Sequence, residues 1–493
     1  MPATFPSFGS FIFKDNLHRK YVYIAAIAAI IQLIIFKLCY PFADFFSDSY
    51  SYIFAAANHL DVNIWPIGYS KFLWLFHQVT TSDTAVVAFQ YLFVQGITLY
   101  FFFTLLYFYA PKSESTNIIF FCLFFNPLIL YLSNYISSDA LFLGLSLWWA
   151  TQLLWIIHRP RPYQVILHGL LIAITFTLRY NAMYYPLVSA IVLLFSQHKL
   201  AWKVTGIALP LLLITLFVNH TQNSAYKITG AKQFSIFGGW QLANNALYMY
   251  PYINTAGDQA PATCREFDQE VKRFFEKYGQ QAKSISPRQG AVYIKLPEAP
   301  LKKFLTDRVN TDNDSSGGVQ SWGTVAPIYG SYGKALILQH PIAFARYFLL
   351  PNTLNYALPP LEKLEIYNLG QDKVAPIAAQ WFHYPDTQVS AVSIKIQGVI
   401  LLIFPSLFLI INLFFIWTLL RWIQFKRIRP QEIPFKQALL ILILLLTVNA
   451  GFSILASPIV FRYQIFPMLL CFSFTITMIG KLEALMPSTA PAS

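Results

Sequence analysis

The run YVYIAAIAAIIQLIIFKLCYP, residues 21–41, carries a single charge, Lys37, in twenty-one residues. A hydrocarbon core about 30 Å thick takes about 20 such residues as a helix, because only a helix or a closed barrel satisfies every backbone group in lipid. Comparable runs follow near 85–110, 116–135, 139–157, 164–179, 181–197, 202–219, 396–420, 437–456 and 459–480. This pattern predicts an all-α polytopic membrane protein with about ten spans, between eight and twelve. The fifth and sixth runs are short and meet at RYNAMYY, which reads as a tight helical hairpin or a partly re-entrant pair. Lys14, Arg19 and Lys20 precede the first run as they would in a signal peptide, but no small-residue cleavage site follows.

Composition agrees. Of 493 residues, 56% are hydrophobic and only 12% charged, and the mean hydropathy of +0.49 is far above that of soluble chains. The formal charge of +13 lies between apolar runs rather than on a soluble basic face, so no nucleic-acid partner is expected. Cys39, Cys122, Cys264 and Cys471 show neither disulfide nor metal spacing. No HExxH, P-loop or GxGxxG occurs, so no cofactor is assigned; a divalent metal stays open but is not assigned, because Ser49 rather than a second carboxylate follows Asp48.

Lysine and arginine in the short loops set the orientation. With the N-terminus inside, Lys14, Arg19, Lys20, Lys112, Arg159, Arg161, Lys199, Lys203, Arg421, Lys426, Arg427, Arg429, Lys436 and Lys481 all fall on the cytoplasmic side. Lys37, Lys71, Arg179 and Arg462 alone remain near short loops opposite. The loop 42–84 and the turns SNYISSDA (133–140), RYNAMYY (179–185) and SPIVFRY (457–463) then face outward together.

The chain divides into an N-terminal membrane module, 1–219, an outer region, 220–395, and a C-terminal membrane module, 396–493. The outer region is expected to be mixed in structure and is too long for a connector. It contains the charged helical stretch CREFDQEVKRFFEKYGQQ, a flexible NTDNDSSGGVQSWG, and SYGKALILQHPIAFARYFLLPNTLNY. Counting the last as a span would reverse every later loop, so it reads as an amphipathic helix at the outer interface.

Asp44, Asp48 and Asp61 crowd the stretch FADFFSDSYSYIFAAANHLDVNIWPIGYSKFL, residues 42–73. Ser47, Asp48 and Ser49 are suited to capping a helix. Tyr52, Ala55, Ala56 and Leu60 then follow at helical spacing, as on a membrane surface. The pattern DSYSYIFAAANHL with WPIGYS after it resembles the first outer loop of the type C glycosyltransferases. It is most similar to bacterial relatives of the dolichyl-phosphate-mannose protein mannosyltransferases and to the aminoarabinose transferases. SSDALFLGLSL, LRYNAMYYP and SPIVFRYQIFP resemble later segments of the same enzymes, so the resemblance covers the membrane part and leaves the outer region aside.

The resemblance implies sugar transfer at the outer face of a bacterial inner membrane, with both termini cytoplasmic. The donor would be a polyprenyl-phosphate sugar and the acceptor a glycan, lipid or protein, and among the three aspartates the likeness singles out Asp48. Such transfer needs a carboxylate to take the acceptor proton, with inversion at the anomeric carbon, and cations for the departing phosphate. Asp48 is the expected base, with Asp44 and Asp61 as alternatives. Arg179 and Arg462, both followed by tyrosine, are the expected phosphate ligands because a guanidinium fork matches phosphate geometry; Lys71 and Lys232 stand in reserve. Asp139 is expected to orient a substrate hydroxyl, with Asp44, Tyr52, Tyr69, Tyr180 and Tyr463 as further substrate contacts. Two departures stand out. Ser49 and the pair Ile64–Trp65 occupy positions where relatives carry a second carboxylate and a cation, so the phosphate must be gripped from elsewhere. Three other readings stay open: a transporter or flippase, a polymerase or ligase of lipid-linked glycans using His340, Arg346 and His383, and a non-catalytic scaffold.

Overall fold

The computed structural model describes residues 6–255, 259–309, 316–424 and 432–485. Lys426, Arg427 and Arg429, and positions 310–315 of the glycine- and serine-rich stretch, lie outside the described residues. Eight helices are long and apolar enough to cross a membrane: Asn16–Cys39, Asp83–Tyr109, Ser113–Asn134, Asp139–His158, Leu200–Thr229, Ile396–Gln424, Ile433–Ala456 and Ile465–Glu483. The two shorter apolar runs form the helices Pro162–Leu178 and Tyr185–Phe195, joined by a 3-10 turn over Tyr180–Tyr184. Both pack against the helices Leu200–Thr229 and Asp139–His158. The protein is an all-α polytopic membrane protein.

Local chemistry starts and ends these helices. The Asp15 side chain accepts the N–H groups of Leu17 and His18, and Ser82 accepts that of Ala85, satisfying donors that a helix start leaves open. The first span turns Tyr21, Ala25, Ala29 and Phe36 inward and leaves Ile24, Ile27, Ile31 and Ile34 exposed. Alanines let the neighbouring helices approach, and the isoleucines are left for lipid. The run 116–135 is interrupted where Asn126 caps a new helix whose first residue is Pro127, a position proline suits. The helix that begins at Leu200 continues to Thr229, ten residues past the expected boundary at 219, because nothing breaks it before Gly230, whose φ of +71° closes it.

The regular elements of the outer region are helices: no strand occurs among the described residues, and the non-helical segments include 371–375 and 382–395, joined by the isolated bridge Lys373–Gln388. Its own core gathers Phe267, Val271, Phe274 and Phe275 from the helix Arg265–Ala282 with Trp240, Tyr329 and Phe348. The helices Ile236–Leu247 and Val319–Gln339 pack backbone to backbone: a Cβ at Gly239 would lie 2.0 Å from the Ala326 carbonyl oxygen. The apolar stretch after Ser331 breaks at His340–Pro341 and exposes Leu338, Ile342, Leu350 and Leu354.

The hydrophobic spans bring four distant segments together at one end of the bundle. Asp44 N–H donates to the Asn134 carbonyl at 2.8 Å, Ile136 N–H to the Asp44 carbonyl at 3.0 Å, and Phe461 N–H to the Pro360 carbonyl at 2.8 Å. The Tyr367 hydroxyl reaches the Ala43 carbonyl at 3.0 Å. At the opposite end, Lys112 pairs with Glu483 at 3.1 Å and Lys481 with Glu432 at 2.8 Å.

Candidate active site

Asp48 lies in the first turn of the helix Ser47–Ala57. Capping falls to its neighbour: the Ser49 hydroxyl oxygen accepts the Phe46 N–H at 3.1 Å. Asp48 is thus free to point elsewhere, and its Oδ2 accepts from Lys363 Nζ at 3.2 Å while Oδ1 accepts from the Ser47 hydroxyl at 3.2 Å. Both members of the Asp48–Lys363 pair are largely buried.

Asp139 forms a second centre. Arg179 donates to its Oδ1, and Arg462 Nη1 and the Ser137 hydroxyl donate to Oδ2 at 3.1 and 3.0 Å. The carboxylate expected to orient a substrate hydroxyl holds the two arginines together. Both guanidinium carbons lie over the Tyr463 ring, at 4.6 Å for Arg179 and 4.9 Å for Arg462. Lys363 Nζ and Arg462 lie over the Phe46 ring at 4.0 and 5.4 Å, distances at which a ring face attracts a cation.

Glu362 links the two centres. Its Oε1 accepts from Lys295 Nζ at 2.6 Å, and its Oε2 lies 3.8 Å from Arg462 Nη2. Burial alone would raise the Glu362 carboxyl, but Arg462, Lys295 and Lys363 outweigh it and hold the group below the usual carboxylate range. For Lys363 burial prevails over Asp48 and Glu362 and lowers its ammonium. Glu362 sits at φ +54°, a left-handed backbone that costs a non-glycine residue about 1–2 kcal/mol. Four cations, Arg179, Arg462, Lys363 and Lys295, meet three carboxylates, Asp48, Asp139 and Glu362. The cluster therefore carries one net positive charge at the rim of an apolar bundle. Chemically it combines a lysine-paired carboxylate with guanidinium groups able to hold an anion.

The other expected residues divide into those that support the cluster and those remote from it. The Tyr52 hydroxyl meets that of Ser138 at 3.2 Å, and its ring packs against Tyr69, whose hydroxyl donates to Gln90 at 2.8 Å. Tyr463 accepts from Arg462 Nη2 at 3.0 Å. The Tyr180 hydroxyl donates to the Phe234 carbonyl at 2.8 Å, tying the Arg179 turn to the start of the outer region. Asp44 is 1% exposed and accepts the Asn368 N–H at 2.9 Å. Burial pushes its carboxyl up to about 8 against that hydrogen bond and those of Tyr135 and Gln397, so Asp44 is a buried staple between loops. Lys71 and Asp61 pair with each other at 3.0 Å on the surface, and Lys232 is exposed.

Lys363, Glu362 and Lys295 were not among the expected residues. In the sequence PPLEKLE, residues 359–365, nothing marks the Glu–Lys pair as other than a solvated loop. The only pointer was indirect: the resemblance leads one to expect charge where the chain has Ser49 and Trp65, so any cation for the site had to come from elsewhere. Comparison of the chain with known protein families, with curated proteins and with solved structures finds no match in any of the three.

Proposed function

We propose that the protein is an inverting glycosyltransferase that moves a sugar from a polyprenyl-phosphate donor to a glycan, lipid or protein acceptor at the outer face of a bacterial inner membrane. The observation that carries this reading is the single buried cluster in which Asp48 lies beside Lys363 while Arg179, Arg462 and Asp139 adjoin it, at the end of an apolar bundle. In this reading Asp48 takes the proton of the acceptor hydroxyl as that oxygen attacks the anomeric carbon. The bond from the anomeric carbon to the phosphate oxygen breaks, and Arg179, Arg462 and Lys363 stabilise the charge that develops on the leaving phosphate. The positive loops at the opposite end favour a cytoplasmic placement of both termini. Nucleotide sugars are kept in the cytoplasm, so an outward-facing site requires a donor that has already crossed the membrane.

The test is transfer of labelled sugar from a polyprenyl phosphate in proteoliposomes, comparing wild type with Asp48→Asn at equal insertion. Loss of transfer in the variant is expected; transfer at the wild-type rate would refute the base assignment. Because Glu362, Lys363 and Lys295 come from the outer region, a lipid-linked glycan polymerase or ligase is the second reading. That reading predicts that Asp48 is dispensable while these three residues are not.

A further inference from the structure

Glu362 is held in its left-handed conformation from both sides. Leu361 and Leu364 are buried, the Pro360 carbonyl accepts Phe461 N–H at 2.8 Å, the Lys363 carbonyl accepts the Tyr135 hydroxyl at 2.6 Å, and the Leu364 carbonyl accepts from Gln397 at 2.9 Å. The carboxylate so placed faces Arg462 but stops 3.8 Å short, beyond hydrogen-bond reach. Glu362 Oε2 and Arg462 Nε are both buried, and neither has a hydrogen-bond partner among the described residues. A bidentate pair would satisfy both. Buried groups left unmatched on strained backbone concentrate where a third group is to be accommodated.

The geometry points to Glu362 as a displaceable counter-anion: in the ligand-free protein it keeps the place on Arg462 that a phosphate ester takes, and the arriving phosphate expels it toward Lys295. Lys295 already holds the other carboxylate oxygen at 2.6 Å and is 46% exposed, so the expelled group keeps a cation and gains water. An anion at Arg462 and an unmoved Glu362 would repel each other at close range in a poorly solvated site. Lys363 is the next residue, so relaxation of the turn also loosens its contact with Asp48. Arrival of the phosphate is thereby tied to release of the base. This inference rests on the reading of Arg462 as a phosphate ligand.

The test measures binding of farnesyl phosphate to the full-length protein in detergent by calorimetry, for wild type, Glu362→Gln and Glu362→Gly. Glu362→Gln is expected to bind about tenfold more tightly, equivalent to about 1.4 kcal/mol. Glu362→Gly, which removes the carboxylate and the left-handed penalty together, should bind at least as tightly and carries the comparison if the glutamine variant does not fold. Deuterium uptake at residues 358–366 of the wild type should rise when the ligand is added. Equal or weaker binding by the variants, or greater protection of that segment, overturns the displacement while leaving Arg462 as a phosphate ligand. Absence of binding in all three proteins overturns both.

Discussion

Replacing Lys363 by methionine, with and without Asp48→Asn, measures the contact on which the candidate site turns. At 3.2 Å and an effective dielectric of about 20, the gross attraction of the two charges is about 5 kcal/mol. Desolvation of both ions offsets part of it. A fully buried pair broken on one side loses about 3–5 kcal/mol; Lys363 and Asp48 retain 15% and 16% exposure, which places the expected coupling lower, at about 2–3 kcal/mol. In a double-mutant cycle followed by reversible unfolding in mixed detergent micelles, each single variant should be destabilised, and the double variant should fall short of their sum by that coupling. Sugar transfer by Lys363→Met should drop by about 10²–10³, the loss typical of one preorganised donor at a developing charge. Energies that add within about 0.5 kcal/mol, or transfer within about threefold of wild type, would refute the pairing and with it the role of Lys363.

Asp44 supplies a pH test. Its carboxyl is raised to about 8 in the folded protein from an unfolded value of about 3.9, so its contribution is complete below about pH 4 and is lost as pH rises toward about 8. Asp44→Asn keeps an acceptor for the Asn368 N–H without that loss, and its melting temperature should gain on the wild type steadily between about pH 5 and pH 8; a gap independent of pH would mean that Asp44 is ionised throughout. Lys71→Ala should leave transfer within about twofold and stability within about 1 kcal/mol, because its pair with Asp61 is exposed. A hundredfold loss of transfer would move the phosphate site to Lys71.

The membrane architecture was readable from the chain because hydropathy is a local sum. Ten apolar runs became eight long helices and two shorter ones. The boundary at 219 was missed for an equally local reason, since the mostly polar residues 219–224 end the apolar run while the helix continues to the next glycine. Alternation of spans was enough to group the loops 42–84, 133–140, 179–185 and 457–463, and they do meet at one end of the bundle.

Which charges touch which is a different kind of information. Asp48 and Lys363 are 315 positions apart, and Asp139 and Arg462 are 323 apart. No periodicity or spacing connects them, because each pairing depends on how an outer loop folds back over the bundle. Ser49 releases Asp48 from capping, two arginines share Asp139, and buried leucines on either side force Glu362 into a left-handed turn. The sequence by itself determined a helical membrane protein with an acidic loop grouped beside two arginine turns, since length and hydrophobicity suffice for that. Only tertiary packing decided that Lys363 faces Asp48 and Glu362 faces Arg462, because a charge buried among apolar helices takes its partner from whatever the surrounding packing brings within reach.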